Sequence, residues 1–165
     1  MTRTLILMRH AKSSWDDPLL ADKDRSLNPR GQRSARALGD WMRDRGWLPD
    51  QVLCSTATRT RETLAGLGIA GQTDFRDALY HADPKTMLRV LGEASGRTVL
   101  MLGHNPGIGE LAGALVRSAP DHPRFADYPT GSTLVVQFAS PNWDEVTPGT
   151  GEAVDFIVPR DLPGV

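Results

Sequence analysis

The stretch LILM, Leu5 to Met8, is apolar at four consecutive positions. A strand covered on one face alternates apolar and polar residues, whereas an unbroken apolar run of this length suits a strand covered on both. DQVLCS supplies a second short strand, Gln51 to Cys54, and RTVLML a third apolar one ending at Gly103, with a weaker QTDF between them. Helical segments alternate with these strands. In SLNPRGQRSARALGDWMRDRG, Asn28 is a good N-cap, Pro29 sits at the first helical position, Ala35, Leu38, Trp41 and Met42 share a face, and Gly46 stops the helix. ATRTRETLAGLG follows the second strand with Ser55 or Thr56 as its expected cap. PKTMLRVLGEAS opens at Asp83-Pro84, and NPGIGELAGALV is a fourth helix with an apolar face. Strands that alternate with helices predict an α/β three-layer sandwich, a mostly parallel sheet with helices on both faces and right-handed crossovers. GSTLVVQF and GEAVDFIVP read as two closing strands around a turn-rich SPNWDEVTPGTG, and the polar stretch from Ala11 to Arg25, with Pro18, reads as loop.

The chain's 165 residues suit a single domain, 1–165. A formal net charge of -1 argues against a nucleic-acid binder, which shows a basic stripe, but leaves room for a local positive pocket. Cys54 is the one cysteine, so no intrachain disulfide forms. The apolar run near the N-terminus is too short for a signal peptide, and nothing approaches a membrane span. The expectation is a cytoplasmic protein with no membrane partner.

In such sheets ligands bind beyond the carboxyl ends of the strands. MRHAKSS ends the first strand, CSTATR the second and LGHNPG the fourth, so one edge gathers Arg9, His10, Arg59 and His104. Singly, each has an ordinary explanation: a structural histidine, a solvated surface arginine, a turn residue. Together they are harder to explain without a ligand. Two guanidiniums in one cluster repel unless an anion lies between them, and guanidinium forks match phosphate oxygens two at a time. Two histidines beside them point to phosphoryl chemistry.

These residues carry a resemblance. RHAKSSW resembles the Arg-His-Gly signature of the histidine phosphatase (phosphoglycerate mutase-like) superfamily, CSTATRTRET its Ser-Pro-x-x-Arg-x-x-x-Thr segment, and GHNPGIGEL its second-histidine motif. DRSLNPRGQRSARALGDWM is similar to its Leu-Thr-x-x-Gly-x-x-Gln-Ala region. MRHAKS, GHNPG, YPTGS and VPRDL are in the style of the small SixA-type phosphohistidine phosphatase branch. Three positions depart from the superfamily pattern: Ala11 for glycine, Thr56 for proline and Glu62 for glutamine. Between Thr60 and Gly103 there is no room for the large insertion of the bigger enzymes.

The resemblance implies a metal-independent phosphatase with no cofactor. His10 is the nucleophile that becomes phosphohistidine, Arg9, Arg59 and His104 hold the phosphoryl oxygens, and Ser13 and Asp16 lie near the phosphate. Positive neighbours keep His10 neutral, and the strand holds it at contact distance from phosphorus. The interval that supplies the superfamily's general acid here reads LYHADP, which offers Asp83 and His81; Asp83 is the expected catalytic acid, in a partial role, although it also reads as a helix cap before Pro84. The expected substrate is a phosphorylated protein carrying phosphohistidine, whose imidazole leaves more readily than an alkoxide, so a weak acid suffices. A small phosphorylated substrate of the same superfamily is the alternative, and an inactive phosphate- or phosphoprotein-binding module the second.

Overall fold

The structure is a computed structural model that describes residues 2–165. Its sheet has six strands, β1 (Thr2–Arg9), β2 (Gln51–Ser55), β3 (Gln72–Arg76), β4 (Thr98–Gly103), β5 (Thr133–Ala139) and β6 (Glu152–Ile157), in the order β3-β2-β4-β1-β5-β6. The first four run parallel; β5 pairs antiparallel with the far side of β1, and β6 pairs antiparallel with β5. Four helices join them: α1 (Pro29–Arg45), α2 (Thr58–Leu67), α3 (Pro84–Gly92) and α4 (Gly107–Leu115).

The two faces of β1 explain its unbroken apolar run. Leu5 and Leu7 pack with Met87, Val90 and Leu91 of α3 and with Ile108, Leu111 and Leu115 of α4. Ile6 and Met8 pack on the opposite face with Leu38, Trp41 and Met42 of α1 and Leu67 of α2. All four strand residues are fully buried, each contributing on the order of 1.5–3 kcal/mol. A shift of one residue would exchange the two faces, so packing pins the register and with it the position of the residues after Met8.

The helix signals were placed where the chain uses them. Asn28 accepts from the Gly31 N–H at 2.8 Å, Pro29 opens α1, and Gly46 closes it at a left-handed φ of 74°. The expected cap of α2 is corrected. Its N-cap is Ala57 and no side chain caps it; Ser55 is the last residue of β2, and its hydroxyl is engaged elsewhere. The expected loop from Ala11 to Arg25 contains one 3-10 turn, Asp22–Asp24, and Ser13 bridges to Leu27. Gly107 has a specific task. A Cβ there would collide with the Ala82 carbonyl oxygen, so the missing side chain lets the start of α4 sit directly against the turn before α3. No helix of the described residues is long and apolar enough to cross a membrane.

Candidate active site

The carboxyl ends of β1, β2 and β4 meet, as their shared direction requires. The His10 N–H donates to the Gly103 carbonyl at 3.2 Å, which ties the end of β1 to the end of β4. His10 and His104 therefore face each other with ring centroids 5.3 Å apart. Arg59 reaches the same place from the first turn of α2, with its side chain almost wholly buried. Arg9 turns its guanidinium toward the Tyr128 carbonyl, to which Nη1 donates at 3.1 Å.

His10 is held by its backbone. Its Nδ1 lies 2.7 Å from the Ala11 carbonyl oxygen. A carbonyl can only accept, so Nδ1 carries the proton and Nε2 presents a lone pair. Burial drives the His10 pKa well below the ordinary histidine value; the Ala11 hydrogen bond opposes this, and electrostatic coupling to His104, Arg9 and Arg59 reinforces it. The ring is neutral at pH 7. The Ala11 N–H donates to Thr63 Oγ1 at 3.0 Å, and that hydroxyl donates to the Arg59 carbonyl at 2.7 Å, so one threonine fastens the His10 turn to α2.

His104 is neutral for the same main reason. Burial, then the charge of Arg59, bring its pKa down to about 3. Its Nε2 lies 2.8 Å from Ser55 Oγ, which accepts from the Ala57 N–H at 3.3 Å. The Ser55 hydroxyl proton has no other acceptor among its contacts, and when it is donated to Nε2 the imidazole carries its own proton on Nδ1. This is the engagement that takes Ser55 away from capping α2. Three buried nitrogens of the cluster have no hydrogen-bond partner: Arg9 Nε, Arg59 Nε and His104 Nδ1. Buried donors are almost always satisfied, so three orphans in residues around one histidine leave hydrogen-bonding capacity for an acceptor from outside the fold. Arg9's guanidinium is itself pulled below its ordinary value by burial and by the like charge of Arg59.

Asp22, Tyr80 and Ser55 complete the surroundings, and none was anticipated from sequence. Asp22 accepts from Arg59 twice, at its carbonyl (2.7 Å) and at Oδ2 (3.0 Å). It also accepts from Tyr80 Oη at 2.6 Å and from Arg25 Nε at 3.1 Å. Partial burial works against its charge, but the Tyr80 and Arg59 hydrogen bonds and the Arg59 charge outweigh this and hold the carboxyl well below the usual range. Tyr80 meets His104 edge-on at 5.5 Å and stacks on His81 at 4.0 Å. LYHADP offered Tyr80 a place near the site. Asp22 and Ser55 carried no local signal of their roles, since their partners lie far along the chain.

The remaining expected residues divide. Ser13 is buried near the turn, but its hydroxyl accepts from Arg25 Nη1 at 2.7 Å, which gives it a loop-holding contact. Asp16 is exposed, and its own N–H donates to Ser14 Oγ at 3.1 Å. His81 is exposed, sits at a φ of 54° that non-glycine residues rarely adopt, and lies 6.0 Å from the His104 ring and 3.4 Å from Asp22 Oδ2. Asp83 accepts from the Thr86 N–H at 2.8 Å as the N-cap of α3, and this backbone bond holds its carboxyl below the usual value. Glu62 accepts from the Leu27 N–H at 2.8 Å and pins the loop to α2. Cys54 is buried, with its thiol pushed up to about 12 by that burial, which makes it a packing residue. Among the described residues no group of three or more His, Cys, Asp or Glu side chains is placed to hold a metal ion.

Comparison with known proteins bears on the family and the fold. Residues 5–80 match the model of the histidine phosphatase superfamily (branch 1). The chain is 39% identical over 160 residues to the uncharacterised Mycobacterium tuberculosis protein Rv1276c, an alignment spanning 93% of this chain and 100% of that one. A structure from Nakamurella multipartitia described as "putative phosphohistidine phosphatase SixA" shares the fold with a TM-score of 0.86 at 33% identity, covering 96% of this chain and 97% of that one. A second so described, from Agrobacterium tumefaciens, gives a TM-score of 0.78 at 27% identity, covering 94% and 98%. Aligned along nearly its whole length in both sequence and fold, the chain belongs to the histidine phosphatase superfamily.

Proposed function

We propose that the protein is a phosphatase that works through phosphohistidine on His10, and that its substrate is phosphohistidine carried by a protein. One observation carries the reading. His10 is buried and neutral, its Nδ1 proton is committed to Ala11, and its Nε2 lone pair is left as nucleophile in the midst of two arginines and a second neutral histidine.

The chemistry follows from those states. Nε2 attacks phosphorus, the P–N bond to His10 forms, and the bond to the leaving group breaks with its electron pair going to that group. Charge spreads over the equatorial oxygens in the loose transition state. The unpartnered N–H groups of Arg9, Arg59 and His104 meet it without reorganising, because the sheet and α2 already hold them. Water then attacks the phosphohistidine, releasing phosphate and restoring His10. Of the two groups offered by LYHADP, His81 stands at the site's edge beside Asp22, while the Asp83 carboxylate caps α3. We assign protonation of the leaving group to His81. An imidazole leaving group asks little of such an exposed donor, which supports phosphohistidine over alkyl phosphates. The likeness to two structures described as phosphohistidine phosphatases supports it as well.

The test is trapping. Enzyme mixed with labelled phosphohistidine protein and quenched should carry one base-stable, acid-labile phosphoryl group per chain, absent from His10→Ala. Label that persists in that variant would refute the assignment. Rates on a phosphohistidine protein, free phosphohistidine and common sugar phosphates, measured side by side, test the substrate class; sugar phosphates turned over faster would move the reading to a small-molecule phosphomonoesterase.

A further inference from the structure

A sizeable cavity lies outside the His10 cluster. It measures about 490 Å³ and is lined, among others, by Lys12, Arg30, Arg124 and Arg160, against the single carboxylate of Asp161. In a chain with a formal net charge of -1 this is a marked local excess of positive charge. The partners sharpen it. Asp161 is engaged by His122 at 2.9 Å, and Arg124 pairs with Asp127 at 2.9 Å. No hydrogen bond or ion pair joins the side chains of Lys12, Arg30 or Arg160 to another described residue. Three free cations that converge on one concavity raise each other's energy, and an anion placed among them lowers it. The volume is that of a small-ligand site, and Pro129, Val158 and Pro159 supply it with apolar wall.

The cavity is joined to the catalytic turn by covalent and hydrogen-bonded links. Lys12 is two residues beyond His10. Pro129 and Thr130 line the wall, and the next residue, Gly131, donates its N–H to the carbonyls of both Arg9 and His10, at 3.1 and 2.9 Å. The positively charged hollow thus adjoins the turn that carries His10, through Lys12 on one side and the Pro129–Thr130 wall on the other.

We infer that this cavity is a second anion site, and that it takes acidic side chains of the same protein whose phosphohistidine enters at His10. The inference rests on the proposed function for the identity of the substrate, and on the cavity alone for its charge. Its chemistry is recognition by several guanidinium and ammonium groups of carboxylates a few residues from the phosphohistidine.

The experiment uses the full chain and the double variant Arg30→Gln/Arg160→Gln, whose side chains are exposed and are not among the groups placed around His10. Two histidine-phosphorylated peptides of equal length are compared, one with Asp and Glu flanking the phosphohistidine, the other with Asn and Gln there. The double variant should raise KM for the acidic peptide by about tenfold, the scale of two partly exposed charge pairs. It should leave kcat, the amide peptide and p-nitrophenyl phosphate unchanged. Equal KM changes for both peptides, or none, overturn the inference. Should p-nitrophenyl phosphate be hydrolysed but neither peptide, the phosphohistidine reading has failed, and direct binding decides the cavity. Inorganic tripolyphosphate titrated calorimetrically should fill two sites per wild-type chain and one in the double variant, with its competitive inhibition of p-nitrophenyl phosphate hydrolysis unchanged. The same stoichiometry in both proteins removes the second site.

Discussion

His10 and His81 both neighbour His104, with ring centroids 5.3 and 6.0 Å from it, and the fold treats them in opposite ways. His10 follows a buried strand, is 5% exposed, and is fastened through its ring, its N–H and its carbonyl. His81 stands on the turn before α3 with a side chain 59% exposed, in a left-handed backbone conformation, stacked on Tyr80 and beside Asp22. The difference matches two kinds of work. A nucleophile gains from burial, which keeps it neutral and at fixed distance. A donor to a departing group must stay accessible to that group and to solvent protons.

The contrast can be broken at its buried end first. His10→Ala should lower kcat by about 10⁴-fold or more, as loss of a nucleophile does; a modest loss measured in steady-state assays would mean another group takes the phosphoryl. Next, Arg59→Ala and His104→Ala should each cost about 10²–10³ in kcat, the scale of one preorganised donor, and a variant with unaltered kcat removes that residue from the transition state.

The exposed end predicts a smaller and selective effect. His81→Gln should slow an alkyl phosphate by about tenfold to a hundredfold, toward the low end for general acids because of its exposure, and spare p-nitrophenyl phosphate. Asp83→Asn, which preserves a capping oxygen, should leave the ratio of the two rates and the melting temperature unchanged. If Asp83→Asn shifts that ratio and His81→Gln does not, the proton comes from Asp83.

Titration gives the smallest change in rate. Burial holds His10 and His104 below the ordinary histidine range, His104 down to about 3. His104 stays neutral in the folded enzyme between pH 7 and 5, so kcat/KM should vary by no more than about twofold there on its account. Stability follows the sign of the same shift. The unfolded chain binds protons at these histidines below about pH 6.5 while the folded chain does not. Unfolding free energy should therefore fall as pH drops from about 6.5 toward the folded values, and denaturant titrations at pH 7 and 5 check this. Replacing His104 with Gln should flatten that fall; an unchanged slope would mean that His104 is protonated in the fold.

The sequence by itself determined the frame and the four central residues. Apolar runs, caps and glycine stops are local signals, set by the period of a strand or helix and by the conformational demands of its ends. Once the alternation implied a parallel sheet, the rule that ligands gather at strand carboxyl ends brought Arg9, His10, Arg59 and His104 together without coordinates. Tertiary structure decided what surrounds them. Asp22 meets Arg59 across 37 residues and Tyr80 across 58, and Ser55 meets His104 across 49. Such pairings obey no short spacing, and a serine at the end of a strand reads as a cap until a histidine claims its hydroxyl. The cationic cavity was out of reach for the same reason: Lys12, Arg30, Arg124 and Arg160 are dispersed through the chain. They face one hollow only because the Pro129–Gly131 turn leading into β5, and the segment after β6, fold back beside the start of α1.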